Sequence, residues 1–226
     1  MGIISFILKL FHDKSNTASA ATPATELPDV TPAVGVKPIE EKPYKTSQPR
    51  VRTKDYSQME ASIPIKGVFS VRDLDFDGSF SRSSSGKWII AWQDRDVKNK
   101  VGGCRTSGKG HYILYNDNEK KIAVYGNKLE RPNAGKVLND GTFMLTDIRF
   151  GNDIKSSIYV FNPQGEVLFR KTFRANIAKS RISPAGKVVT LTFWGGAGTE
   201  ANKVYAIDVE TKKIISQKPA PRCIKK

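Results

Sequence analysis

Three stretches of the chain alternate a polar turn with an apolar strand. They begin at Ser83, Leu138 and Ser183 and read SSSGKWIIAW, LNDGTFMLTD and SPAGKVVTLT. Glycine in the turn and β-branched or aromatic residues after it are typical of a tight turn that leads into a strand. Each stretch is followed by a second pair of apolar runs, so the pattern predicts an all-β domain in which a four-strand unit is repeated three times.

The second half of each unit is predicted to be a β-hairpin. The hairpins read HYILYNDNEKKIAVY, SIYVFNPQGEVLFRKTF and KVYAIDVETKKIISQ, and their turns begin at Asn116, Asn162 and Asp208, 46 residues apart each time. A constant period of this length with four short strands is typical of propeller blades. The inner runs WIIAW, FMLTDI and VVTLTF lack clean polar alternation, which favours strands covered on both faces.

These segments resemble repeats of the β-propeller superfamily, of the WD-repeat and quinoprotein-like kind. Ile207-Asp208 stands where a WD repeat has its Trp-Asp pair, and Phe161-Asn162 and Tyr115-Asn116 occupy the same place in the other copies. The Gly-His pair of that family is missing. The resemblance covers residues 68–218 and implies an architecture of about three four-stranded blades, with little implication for activity. A β-sandwich or a bent antiparallel sheet is the alternative.

Three blades are fewer than the four to eight that close a propeller. The sequence leaves three ways to cover the end blades: a head-to-tail homo-oligomer, another protein that completes the propeller, or the chain's own linker.

Residues 1–12 are predicted to form a short apolar helix, and residues 13–66 a Pro-rich, disordered linker. A helix of that length is too short to span a bilayer, so we expect an anchor on a membrane surface or in a partner's groove. Its apolar residues are Ile3, Ile4, Phe6, Ile7, Leu8, Leu10 and Phe11. The alternatives are a signal peptide cleaved after Ala20 and a frayed helix with no role. The propeller-like domain is assigned to residues 67–226.

The chain has 226 residues, a net charge of +15 and a pI near 9.8. Residues 67–226 carry most of the positive charge, which favours an acidic partner: a protein surface, nucleic acid or anionic lipid. A structural zinc site takes four nitrogen or sulfur ligands, so it would need both cysteines, Cys104 and Cys223, and both histidines, His12 and His111, and the sequence therefore disfavours such a site. No cofactor is predicted.

The first unit contains an insertion rich in glycine and cations. The turn glycine and the hairpin Asn are 30 residues apart in this unit, against 21 and 22 in the others. Insertions in repeat proteins often form binding loops, and a solvated, mobile loop is the alternative. The predicted partner- or anion-binding residues are Arg95, Lys98, Lys100, Arg105 and Lys109, together with Trp194 as an exposed aromatic anchor in the third unit.

The stretch DLDFDGSF resembles the first half of a calcium loop. Asp73, Asp75 and Asp77 alternate as oxygen ligands would, and Gly78 follows. The twelfth loop position, where a bidentate Glu would be expected, is Ser84. An acidic strand that ends in a turn is the alternative interpretation.

The sequence therefore predicts a non-enzymatic interaction or scaffold module, cytoplasmic and tethered through its apolar N-terminal helix to a membrane or a partner. Two alternatives stay open at this stage: a nucleic-acid-binding accessory protein, and an exported propeller that binds a ligand or catalyses a reaction.

Overall fold

The described strands of the computed structural model form three antiparallel sheets of four or six strands and a separate two-stranded sheet. The model describes residues 67–221 apart from 103–104, 152–153 and 197, and also residues 56 and 59–62. The predicted helix over residues 1–12, with its anchor residues, lies outside the described residues, as do most of the linker and both cysteines. Within the described part, no helix has the length and apolar character needed to cross a bilayer.

The first sheet has six strands and an inserted hairpin. Its elements in chain order are β1 (Ala61–Ser62), β2 (Phe69–Val71), a 3-10 turn (Arg72–Leu74), β3 (Phe76–Arg82), β4 (Trp88–Gln93), β5 (Arg95–Asp96), β6 (Val101–Gly102), β7 (His111–Asn116) and β8 (Lys121–Gly126). The strand order is β1-β2-β3-β4-β7-β8, and β5 pairs only with β6. The strands β3, β4, β7 and β8 are the predicted four-strand unit.

The second and third sheets each have four strands that pair in chain order. The second contains β9 (Pro132–Val137), β10 (Phe143–Ile148), β11 (Ser156–Phe161) and β12 (Val167–Phe173). The third contains β13 (Asn176–Ile182), β14 (Val188–Trp194), β15 (Lys203–Asp208) and β16 (Ile214–Pro219). The prediction of an all-β, propeller-like domain with about three four-stranded blades is confirmed.

The repeated turns have the chemistry that the sequence pattern indicates. Gly86, Gly141 and Gly186 have φ values of 78°, 87° and 71°, in the left-handed region where a side chain would be strained. In each turn the glycine N–H donates to the carbonyl three residues earlier, as Gly86 does to Ser83 at 3.0 Å. The glycines therefore fix where the first strand of each unit ends and the second begins.

The hairpin turns are closed by the side chains at the 46-residue spacing. The Oδ1 atoms of Asn116, Asn162 and Asp208 accept hydrogen bonds from backbone N–H groups two to four residues further along, those of Asn118 and Glu119, Gln164 and Glu166, and Thr211. A short polar side chain at this place stabilises the turn without help from distant residues. Each unit also has a register shift between its third and fourth strands.

The sheets pack face to face in series, with a hydrophobic layer between neighbours. Between the first and second sheets, Ile90 and Leu114 pack with Phe143 and Leu145. Between the second and third, Phe173 packs with Phe193 and Tyr205. The second sheet is thus buried on both faces, as the absence of polar alternation in FMLTDI predicts.

In the first sheet, the face of β4 and β7 turned away from the second sheet is covered by the segment of chain that precedes them, which includes β1 and β2. Phe69 in β2 is fully buried and packs against Phe76 and Tyr115, with ring centroids 6.2 and 5.4 Å apart. Tyr56 and Met59 pack against the same layer. We call residues 56, 59–62 and 67–76 the cap. Tyr56, Met59 and Ala61 of β1, all N-terminal of residue 67, thus belong to the same hydrophobic layer.

The third sheet is covered on one face only by described residues. In β14, Val189, Leu191 and Phe193 are fully buried against the second sheet, whereas Thr190 and Thr192 are half-buried on the opposite side. The expectation that VVTLTF is covered on both faces is therefore corrected. The physical reason is that no fourth sheet of the described chain packs on it.

Candidate interaction surfaces

The insertion in the first unit is organised around the carboxylate of Asp96. Asn99 donates to it through its backbone N–H at 3.2 Å and its side-chain amide at 2.9 Å. These hydrogen bonds, led by that of the Asn99 backbone, lower the pKa of Asp96 below its usual value. Gly108, with a φ of 90°, lies so close to this carboxylate that a Cβ at that position would overlap it. The loop therefore has a defined backbone around one ionised carboxylate.

Three of the predicted binding residues are exposed on this insertion. Lys98, Lys100 and Lys109 all point to solvent. Arg95 lies at the base of the hairpin and donates to Asp75 at 2.9 Å, with 35% and 49% of the two side chains exposed. An ion pair this exposed contributes little to stability, so Arg95 can exchange its partner at low cost. We call Arg95, Lys98, Lys100 and Lys109 the basic loop surface.

Arg105 is buried and does not belong to the exposed set, which corrects that part of the prediction. Only 2% of its side chain is exposed. Its Nε and Nη2 donate to Asp94 at 3.0 and 2.6 Å, and its Nη1 donates to the Ser107 carbonyl at 2.8 Å. Its Nη2 also donates to the Glu130 carbonyl. A guanidinium with this many acceptors holds the insertion to the next unit instead of binding a partner.

Asp94 extends the contact from the insertion to the second sheet. Its other oxygen, Oδ2, accepts from Arg131 Nε at 2.9 Å. Arg105 and Arg131 both lie over the ring of Phe150, with the guanidinium carbons 5.0 and 5.8 Å from its centroid. The residues Asp94, Arg105, Arg131 and Phe150 thus join the first unit to the second through alternating charges and an aromatic platform.

Two further carboxylates, those of Asp147 and Glu130, hold the segment that leads into β9, the first strand of the second sheet. Buried Asp147 accepts the N–H groups of Arg131 and Glu130 at 2.6 and 3.2 Å. Glu130 in turn accepts from Arg149 Nη2 and from the Phe150 N–H, each at 3.0 Å. Burial raises the pKa of Asp147. Burial also acts to raise the pKa of Glu130, but the hydrogen bonds from Phe150 and Arg149 and the nearby cations lower it on balance.

His111 is the first residue of β7, and its side chain is mostly buried. Its Nδ1 and the Tyr125 hydroxyl oxygen are 2.5 Å apart, and the Tyr125 ring lies 5.4 Å from that of Tyr56 in the cap. Burial lowers the pKa of His111 and raises the pKa of Tyr125 to about 12. The described hydrogen bond of His111 thus joins its ring to a phenol, and not to a carboxylate or a nucleophile as in a catalytic triad.

The three aspartates of the calcium-like stretch have separate roles. Asp75 has a φ of 48° and closes the 3-10 turn by donating its N–H to the Arg72 carbonyl. Asp77 lies on β3 and accepts the Ser70 hydroxyl at 2.5 Å. In the part of the chain that the structure describes, Asp73, Asp75 and Asp77 do not form a group that could hold a metal ion, nor do any three His, Cys, Asp or Glu side chains.

Trp194 ends β14 with 58% of its surface exposed, as an anchor would be. It lies on the half-covered side of the third sheet and not on the insertion, so the structure separates it from the basic loop surface. The predicted binding residues therefore divide into two surfaces and one buried cation.

The sequence did not reveal the network at the entrance to the second sheet. Its one signal is Asp147, a single carboxylate inside the otherwise apolar run of β10. Glu130, Arg131 and Arg149 lie in short connections whose composition resembles that of any solvated turn. Their partners are 16 to 37 residues away, so pairing is decided by packing.

The solved structures that this chain is similar to include β-propellers. The Dos1 propeller matches 66% of this chain and 36% of its own chain, with 15% identity and a TM-score of 0.45. The propeller domain of Cps50 (Swd1) from Myceliophteria thermophila matches 63% of this chain and 41% of its own, with 8% identity and a TM-score of 0.43. Hydrazine synthase from Kuenenia stuttgartiensis matches 68% and 48%, with 13% identity and a TM-score of 0.43.

This chain spans between about a third and half of the length of the structures it matches. At these identities the likeness is one of fold. No protein-family model matches the chain, and no curated protein matches its sequence.

Proposed function

We propose that this chain is a non-enzymatic interaction module that binds an acidic protein surface through the basic loop surface. The observation that carries the proposal is that Lys98, Lys100 and Lys109 are exposed together on one insertion. That insertion is held in place by the buried contacts of Asp96 and Arg105. Because the backbone of the insertion is already ordered, the attraction of its cations to carboxylates is not offset by ordering of the loop.

The composition of the insertion favours a protein partner over nucleic acid. Residues 94–110 contain no aromatic side chain. Proteins that bind single-stranded nucleic acid generally stack bases on aromatic rings beside the cations. Trp194, the exposed aromatic residue predicted as an anchor, lies on the third sheet. A surface of lysines without such rings suits carboxylates of a protein partner better.

We further propose that the apolar run over residues 1–12 holds the module to a membrane surface or a partner, with the Pro-rich stretch as a spacer. This part of the proposal is supported by the sequence alone, through the apolar residues from Ile3 to Phe11 and the prolines that follow. In this arrangement the basic loop surface acts away from the site of attachment.

A charge-reversal experiment on the full chain tests the basic loop surface. The variant carries Lys98→Glu, Lys100→Glu and Lys109→Glu, and the control carries Lys121→Glu, Lys212→Glu and Lys213→Glu, which are also exposed and change the net charge equally. Binding is measured by fluorescence anisotropy with labelled poly-L-glutamate as the acidic probe, and with a DNA duplex and single-stranded RNA.

We expect the loop variant to bind poly-L-glutamate about tenfold more weakly than the control variant, and wild-type binding to weaken with salt. Equal losses in the two variants would mean that net charge alone attracts the probe, and the proposal would fail. Stronger binding of DNA or RNA than of poly-L-glutamate, lost in the loop variant, would favour the nucleic-acid alternative instead.

A further inference from the structure

We propose a second docking surface, the open face of the third sheet, which takes a β-sheet of a partner protein that carries Asp or Glu side chains. The open face is the side turned away from the second sheet. The strand registers place on it the small residues Thr190, Thr192, Val204 and Ala206 at the centre, Trp194 and Asp208 at the ends of β14 and β15, and the cations Lys179, Arg181 and Lys218 on the edge strands. This proposal does not depend on the basic loop surface.

The centre of the open face has the shape and polarity of a surface that stacks on another sheet. Thr190 pairs across the strands with Ala206, and Thr192 pairs with Val204, so its middle consists of small half-buried side chains. Small residues on both strands leave the face flat, and sheets pack through such faces at about 10 Å. Exposed Trp194 at one end supplies a large apolar group of the kind that anchors interfaces.

The cap excludes a closed head-to-tail ring of identical chains. Such a ring would require the open face of one copy to stack on the outer face of the first sheet of the next. That outer face, which includes Ile89 and Ile113, is already buried beneath Phe69 and Val71 of the same chain. The open face of one copy therefore cannot stack on the first sheet of another copy.

Charge disfavours a second copy stacked open face to open face. Lys179 and Arg181 are exposed on β13 at one edge of the face, and Lys218 is exposed on β16 at the other. With the strands of the two faces aligned, a two-fold axis along the strands brings β13 onto β16 of the other copy, and one across the strands brings β13 onto β13. Both arrangements set cations against cations. Carboxylates on the incoming sheet would pair with the same three side chains, so the occupant is a different, acidic protein.

A charge-swapped copy of this chain provides a defined acidic sheet as the probe. The probe carries Lys179→Glu, Arg181→Glu and Lys218→Glu, all at exposed positions, and circular dichroism checks that it folds. Its open face then keeps the central residues of β14 and β15 and carries carboxylates in place of the three cations on the edge strands. The matched control is the chain with Lys98→Glu, Lys100→Glu and Lys109→Glu, which has the same net charge but an unchanged open face.

We expect wild-type chain and probe each to sediment as a monomer and their equimolar mixture to form a one-to-one complex that salt dissociates. The mixture of wild type with the control should remain monomeric, and Thr192→Arg in the wild-type partner should abolish the complex with the probe. Self-association of the wild-type chain, no complex with the probe, or equal association with probe and control would each overturn the proposal.

A labelling measurement distinguishes an open face from one that the rest of the chain occupies. Thr192→Cys, placed in a full chain with Cys104→Ser and Cys223→Ser, should react with a maleimide at a rate close to that of an exposed thiol and be protected in the complex with the probe. Slow labelling in the isolated chain would mean that its own residues cover the face, and would overturn the proposal. If the wild-type chain forms the complex with the probe but does not bind poly-L-glutamate through the basic loop surface, only the proposed function fails.

Discussion

The first and third sheets contain the same four-strand unit, but the outer face of the first is buried and the outer face of the third is partly exposed. The outer face of the first sheet presents Ile89, Ala91, Ile113 and Tyr115, all buried beneath the cap. The equivalent strands of the third sheet present Thr190, Thr192, Val204 and Ala206, which stay half-exposed. Large apolar residues occur where the chain supplies its own cover, and small or hydroxylated residues occur where it does not. The repeated pattern therefore determines that each unit forms a four-stranded sheet. The size and polarity of the residues on its outer face reflect whether the described chain covers that face.

The connection between the second and third strands of the unit also differs between the first unit (β4 to β7) and the third (β14 to β15) in the contacts that hold it. In the first unit, Arg105 and Asp94 tie the connection to the next sheet through buried charged hydrogen bonds. In the third unit, described contacts of this connection with other segments are backbone hydrogen bonds, from the Gly198 N–H to the Arg174 carbonyl at 2.9 Å and from the Ala220 N–H to the Asn202 carbonyl at 2.8 Å. The capped side of the molecule is held by side chains, which are specific and sensitive to substitution.

The largest expected effect comes from removing an aromatic side chain at the capped end. Phe69→Ala should lower the free energy of unfolding by about 3–5 kcal/mol, because it leaves a cavity between Phe76 and Tyr115. Trp194→Ala, at the open end, should cost less than about 1 kcal/mol because much of that side chain is already in water. Urea denaturation followed by circular dichroism measures both.

Similar losses in these two variants would contradict the contrast between the two ends. Because Phe69→Ala could leave too little folded protein to measure, Ile89→Val gives a smaller change on the same covered face. It should cost about 1 kcal/mol.

A second comparison sets the buried arginine against the exposed one. Arg105→Met should cost about 2–3 kcal/mol, because Asp94 and two carbonyls lose a charged donor in a buried site. Arg95→Met removes a guanidinium from the same insertion but breaks only an exposed pair, and should cost less than about 1 kcal/mol. Equal effects on the urea midpoint would show that Arg105 is not the residue that holds the insertion in place.

The smallest expected effect is a pH dependence that belongs to the capped end. The pKa of buried His111 is lowered, and Asp96, Arg105 and Tyr125 face it. Between its unfolded value of about 6.5 and its folded value, the unfolded chain therefore binds a proton that the folded chain does not. Stability should fall as the pH decreases through that window.

His111→Gln should flatten this dependence, as measured by urea denaturation at several pH values between 7.5 and 5.5. Hydrogen exchange should localise it: on acidification, protection of β7 should fall more than that of β15, where the equivalent position is Lys203. An unchanged slope in the variant would assign the pH dependence to other groups.

Much of the local structure could be predicted from the residues themselves. Gly86, Gly141 and Gly186 and the side chains at Asn116, Asn162 and Asp208 act on neighbours within a few positions, and each lies in the turn that its residue type favours. The exposure of Lys98, Lys100 and Lys109 was also accessible, because lysine is rarely buried without a partner. Such effects depend on short-range backbone chemistry, which the order of residues contains directly.

The tertiary structure alone decided which faces are covered and which cations are free. Arg105 and Arg95 belong to the same insertion, yet one is buried and the other exposed, because Arg105 meets a carbonyl 25 residues away at Glu130. Thr190 and Thr192 mark an open face only once the register with β15 and the position of the second sheet are known. The sequence thus determined the turns, the strands and their repetition, and packing between distant segments decided burial, because burial depends on which neighbours arrive and not on the residue itself.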